Sequence, residues 1–221
     1  MHIKNNIFKS IYRFLFLVLC EAGIILQYAA ISKTGNRDNL IMLSCYYTMI
    51  SNFICFLYFA YLTVIRPKSE KSSVKGAMVM CIALTGIAYH LLLSGNMETV
   101  GILSPMLIIS NQLVHTVVPI MVFFDYLLFT PKGIFKSFDP LTWTLIPIAY
   151  LIFAVVRAEI SPLMFSGFGG TSSRYPYPFT DFDLLGTGKG ILIIIVMSVI
   201  YIAMGYLLYV LDRLLGKKRK S

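Results

Sequence analysis

The sequence predicts an all-α polytopic membrane protein, a bundle of six transmembrane helices with both termini on the cytoplasmic side. Three observations carry this reading. Of 221 residues, 57% are apolar and only 13% charged, with a mean hydropathy of +0.77. Six apolar stretches reach the roughly 20 residues a helix needs to cross a bilayer. The basic residues gather at alternate ends of those stretches, as the positive-inside rule requires.

The first stretch, about 10–32, follows Lys4, Lys9 and Arg13. A basic start before an apolar run also fits a signal peptide, with Ala30 and Ser32 as a faint cleavage pattern. The run is too long for that and carries Glu21 in its middle, so it reads as the first span. The second and third, about 40–65 and about 75–95, are joined by Arg66, Lys68, Lys71 and Lys75. The fourth, about 103–129, is joined to the fifth, about 141–158, through Lys132 and Lys136. The sixth, about 188–212, leads into Arg213, Lys217, Lys218, Arg219 and Lys220. These basic ends are expected inside. Irregular or open-sheet backbone cannot face lipid, so residues 1–221 read as one helical transmembrane domain.

The same placement accounts for the formal net charge of +9. It is mostly inside bias, so membrane lipids are expected partners and nucleic acid is not. Cys20, Cys45, Cys55 and Cys81 all fall within spans and form no C-x-x-C pair, which disfavours disulfides and structural zinc. There is no Gly-rich phosphate loop and no long internal repeat of the kind inverted-repeat transporters carry. No metal or cofactor is expected, and the sequence leaves the oligomeric state open.

Two polar clusters interrupt the apolar spans: Tyr47-Thr48-Met49-Ile50-Ser51-Asn52, and Asn111 to Pro119 with His115 at its centre. A hydroxyl, amide or imidazole left unpartnered in hydrocarbon costs roughly 1–3 kcal/mol, so such groups must satisfy one another or line a functional cavity. Both spans enter from the outside. At about 1.5 Å of rise per residue, Thr48 lies roughly 12 Å and His115 roughly 16 Å below their outer ends. They can meet if the helices are neighbours. Thr48, Ser51 and Asn52 share a helix face with Cys45, and Asn111 and His115 form an i,i+4 pair. Pro119 has no N–H for the His115 carbonyl, which predicts a kink there and a freed carbonyl.

His90 sits at the outer end of the third span, before Ser94-Gly95-Asn96. With His115 it raises bis-histidine haem ligation, but their estimated depths differ by about 8 Å. Asp125 lies near an inner end and is expected to be solvated or paired with a lysine. The one long outer loop, about 159–187, contains Arg174-Tyr175-Pro176-Tyr177-Pro178-Phe179 and then Asp181 and Asp183. Its aromatic and proline content suits a segment packed over the bundle mouth.

The Tyr47-Thr48…Ser51-Asn52 element, the Asn111…His115-Thr116…Pro119 element, the Tyr-Pro-Tyr-Pro-Phe loop and the six-span layout with a basic tail together resemble the androgen-induced gene and androgen-dependent TFPI-regulating protein family, especially its bacterial six-helix branch. The similarity covers nearly the whole chain. It implies an integral protein of a bacterial plasma membrane that hydrolyses lipid esters, such as fatty acid esters of hydroxy fatty acids. It also implies a threonine nucleophile at Thr48 and a histidine base at His115. The outer loop has the bacterial form, which leaves the ester substrate open.

Independently of the resemblance, a threonine hydroxyl becomes a nucleophile when a neutral imidazole takes its proton. Ser51, Asn52 and Asn111 are candidate oxyanion donors, with His90 a further polar landmark beside them. Asp181 is a candidate to orient His90 or His115, or else a capping residue of the loop. An isolated threonine or histidine inside a helix is more often an interhelical hydrogen-bond residue. The competing class is therefore a non-enzymatic membrane protein, a transporter or lipid-binding scaffold. A transporter needs polar positions in both halves of the bundle, whereas these residues all fall in the outer half.

Overall fold

The computed structural model describes residues 3, 5–94, 104–166 and 172–217. Lys4, the Gly95-Asn96 end of the third span, residue 103, and the tail cations Lys218, Arg219 and Lys220 lie outside the described residues.

The chain is an all-α polytopic bundle of an integral, multi-pass membrane protein. Among the described residues, six helices are long and apolar enough to cross a membrane: Asn6–Ser32, Tyr47–Val64, Ser72–Leu93, Pro105–Phe129, Asp139–Ile160 and Thr187–Lys217. Large apolar side chains stand exposed all round them, among them Ile25, Leu57, Ile195 and Leu207. Exposed apolar surface on that scale belongs against lipid.

Local chemistry explains where the helices begin. Asn5 caps the first by accepting the amides of Ile7 and Phe8. Ser104 caps the fourth, with Pro105 in its first turn, where a missing N–H costs nothing. Lys132 closes the fourth helix by donating to the carbonyls of Tyr126, Leu127 and Thr130, a cation placed at the negative end of the dipole.

The expected 40–65 span is broken. A separate short helix, Arg37–Ser44, ends at Cys45, and Tyr46 is extended (φ −71°, ψ 140°) before the spanning helix starts at Tyr47. The physical reason is aromatic. The Tyr46 ring is held edge-on by Phe165 at 4.9 Å and Tyr177 at 5.6 Å, outweighing one more helical turn. Cys45 is therefore off the helix face of Thr48, and Thr48 lies in the first helical turn rather than a third of the way down.

The first four spans pack together, with the third the most buried. The short opening turn of the fifth, Asp139–Trp143, docks on the third. Gly76 makes room for it, since a Cβ there would lie 2.1 Å from the Trp143 ring. The sixth runs past its expected end, and Asp212, fully buried, accepts from the Tyr126 hydroxyl and the Phe135 amide.

At the end carrying the basic connections, charge is buried. Arg13 Nε donates to Asp125 Oδ1 at 2.8 Å, and Lys75 pairs with the other Asp125 oxygen. Arg13 also reaches Glu70 at 2.7 Å, as does Lys9 at 3.0 Å. Asp125 is thus paired with a lysine, as expected, and with an arginine as well.

Sidedness has a direct check. In a Cys45→Ser background, a cysteine replacing Ser172 in the exposed outer loop is expected to react with an impermeant thiol reagent on intact cells. One replacing Ser69 should react only after permeabilisation. The reverse labelling would put the basic connections outside.

Candidate functional site

The site begins with close helix approaches. Gly23 of the first span lies against Val114 of the fourth, where an added Cβ would be 2.9 Å away. Gly86 of the third lies against the His115 carbonyl oxygen, 3.0 Å from a would-be Cβ, and against Pro119. Small residues let the backbones close in and hold the middle of the fourth span against its neighbours. There the helix widens. Leu113–Val117 is a π-helical turn in which the Val118 amide donates to the Leu113 carbonyl. The irregularity expected near Pro119 thus takes the form of a π turn that ends two residues before it. A second π turn, Tyr89–Leu93, carries His90. Single π turns of this kind recur at functional sites.

The structure brings Thr48 and His115 together. Thr48 Oγ1 lies 3.1 Å from His115 Nε2. His115 Nδ1 lies 3.1 Å from the Asn111 carbonyl oxygen, one turn back on the same helix. A carbonyl can only accept, so Nδ1 carries the proton in the neutral ring and Nε2 is left as the acceptor for the Thr48 hydroxyl. The ring is also locked from its face. Tyr89 stacks on it with centroids 3.9 Å apart and planes 17° apart.

The other candidates have different duties. Asn52 Nδ2 donates to the Thr48 carbonyl at 2.8 Å, within its own helix, and to the Val114 carbonyl at 3.2 Å, which ties the second span to the fourth. Ser51 bonds Thr85 at 2.6 Å and reaches the Thr48 carbonyl. The Asn111 side chain accepts from Gln27 at 2.6 Å. Neither Ser51 nor Asn52 is spare as an oxyanion donor. His90 is exposed and faces Thr116, not Thr48, and the two histidines turn to different partners.

Asp181 does not orient either histidine. Its Oδ1 accepts the amides of Asp183 and Leu184 as the cap of a short helix, Phe182–Leu185, and Oδ2 accepts from Ser173 at 2.6 Å. The ion pair to Arg174 belongs to Asp183, at 2.7 Å. That bond holds the Asp183 carboxyl below the usual range. Asp181→Ala is accordingly expected to weaken the loop by about 0.5–2 kcal/mol, the worth of an N-cap, at an unchanged turnover number. A large fall in turnover at normal thermal stability would restore the orienting role.

Residues the sequence reading passed over complete the site. The Tyr47 and Thr48 amides open the second helix, where no helical acceptor exists for them. Tyr177, from the loop, packs beside them. Burial pushes its phenol up to about 12, with hydrogen bonding from the Thr48 and Tyr47 amides acting the other way. The motif of alternating tyrosines and prolines marked this loop as a cap, but no pattern tells which tyrosine turns inward.

No family model, curated protein or solved structure matches the chain. The site therefore stands on its own geometry. Thr48 opens onto a cleft of about 150 Å³ between the second, third, fifth and sixth spans under the Tyr177–Thr180 loop, while His115 lies behind it.

Proposed function

We propose that the chain is an intramembrane hydrolase of lipid esters, with Thr48 as nucleophile and His115 as general base, related to the androgen-induced gene family and working in a bacterial plasma membrane. The observation that carries this is the ordered relay from the Asn111 carbonyl through the His115 ring to the Thr48 hydroxyl. Nucleophile, base and a group that orients the base are the three parts a hydrolytic triad needs. A carbonyl oxygen takes the place usually held by a carboxylate.

In this mechanism Thr48 Oγ attacks the ester carbonyl carbon as His115 Nε2 removes its proton. The oxyanion forms at the start of the second helix, where the dipole is positive. His115 then protonates the departing alcohol, leaving the acyl group on Thr48. Water, deprotonated by His115, hydrolyses that ester and restores the threonine. A fluorophosphonate probe tests the reading directly. The Thr48 oxygen should displace fluoride from phosphorus in the wild type, and Thr48→Ala should remain unlabelled. Equal labelling of both would remove Thr48 from the role.

A further inference from the structure

The cleft beside Thr48 has a shape and lining that say what fills it. No charged side chain lines it among the described residues, and its walls are mostly aliphatic and aromatic. Ile148 and Leu151 of the fifth span form one wall, Ile194 and Met197 of the sixth the other. These two helices barely touch one another among the described residues; each is held instead by the third span and by the short turn at Asp139–Trp143. Ile148 is 45% exposed, and Ile152, one turn further along the fifth span, and Ile195, next to Ile194 on the sixth, are exposed too. The gap therefore faces the side of the bundle, where lipid lies. Along the fifth span the lining runs from Thr144 to Leu151, about 10 Å of helix at 1.5 Å per residue. At about 150 Å³ the cavity matches engineered apolar cavities that stay dry and take a benzene-sized guest. That is room for the ester-proximal carbons of one unbranched chain, and the remainder must stay outside the cavity.

We propose that this cleft is an acyl-chain slot open sideways to the bilayer between the fifth and sixth spans, receiving a single fatty acyl chain from the surrounding leaflet and leading its carbonyl end to Thr48. The slot rests on the hydrolase reading for what becomes of the chain, and on lining and exposure alone for its occupancy. An acyl chain leaves hydrocarbon for hydrocarbon on entering, so little is gained or lost along its length, and selection falls to the fit near the ester. Residues at the gap set which chains reach Thr48.

The experiment uses full-length protein in phosphatidylcholine vesicles with a fatty acid carrying a diazirine near its carboxyl end. On irradiation, cross-links are expected at Ile148, Leu151, Ile194 and Met197, in wild type and in Thr48→Ala alike, with excess oleate competing. Ile148→Trp, at an exposed rim position that a larger side chain leaves foldable, should remove most of this cross-linking, because the indole fills the gap the chain must enter. Met197→Trp is the second such variant, and Leu57→Trp on the far lipid face the control. Cross-links spread evenly over lipid-facing residues such as Leu57 and Val18, or no effect of either tryptophan, would overturn the slot. Slot cross-linking without fluorophosphonate labelling of Thr48 would leave the slot and sink the hydrolase reading. Labelling of Thr48 with even cross-linking would do the reverse.

Discussion

Turnover of a long-chain fatty acid ester is expected to fall by roughly 10²–10⁴-fold in His115→Gln, the usual worth of a positioned general base. It should fall at least as far in Thr48→Ala. The double variant should be no worse than the single ones, because groups that act as one unit are not additive. His115→Gln keeps a flat polar side chain against Tyr89, and Thr48→Ala removes two side-chain atoms, so both variants should fold. The rate should also fall in acid, where His115 takes up a proton and can no longer accept one from Thr48. If His115→Gln turns over ester at the wild-type rate, the 3.1 Å contact between Thr48 and His115 is helix glue and the protein is not this hydrolase.

The largest loss of stability is expected at the opposite end of the bundle. Asp125 is fully buried and meets both Arg13 and Lys75. Asp125→Asn keeps the volume and removes the charge, leaving Arg13 and Lys75 to share the single Glu70 carboxylate. Breaking a buried pair in this way costs about 3–5 kcal/mol, which detergent-phase thermal unfolding would register as a large fall in midpoint. Adding Lys75→Met to Asp125→Asn should recover part of it, a coupling that independent sites would not show. Glu70 contributes with a definite pH sign. Burial opposes its ionisation, but Lys75 and Arg13 outweigh that and hold its carboxyl below the ordinary range. Its contribution is then complete above the unfolded value of about 4.3 and is lost as pH falls through the lowered folded one. A midpoint insensitive to Asp125→Asn would mean the cluster is solvated and carries no stability.

The six spans were legible because hydrophobicity over about 20 residues is a one-dimensional property. The pairing of Thr48 with His115 was legible because each is a polar group that hydrocarbon forbids to stand alone. What escaped has a common cause in tertiary packing. Nothing in Leu43 to Ile50, which holds neither proline nor glycine, announces the break at Tyr46; the Phe165 and Tyr177 rings that make it come from more than a hundred residues later. Arg13 and Lys75 were read as topology markers in water, and only the packed bundle reveals them as partners of Asp125. The oxyanion candidates Ser51, Asn52 and Asn111 were chosen by residue type, yet bonds across helices had already occupied Ser51 and Asn52. Tyr89, next to His90 in sequence, proved to belong to His115.

The group that orients His115 is a main-chain carbonyl, and a main-chain carbonyl has no codon of its own. On the proposed mechanism, scanning this chain with alanine would report two functional positions where three groups act, because Asn111→Ala keeps the carbonyl. The third group is instead written into the path of the backbone. Deleting Leu113 from the π turn would rotate Asn111 by about 100° relative to His115, and on the proposed mechanism would disarm the base while Thr48, His115 and Tyr89 are all still present.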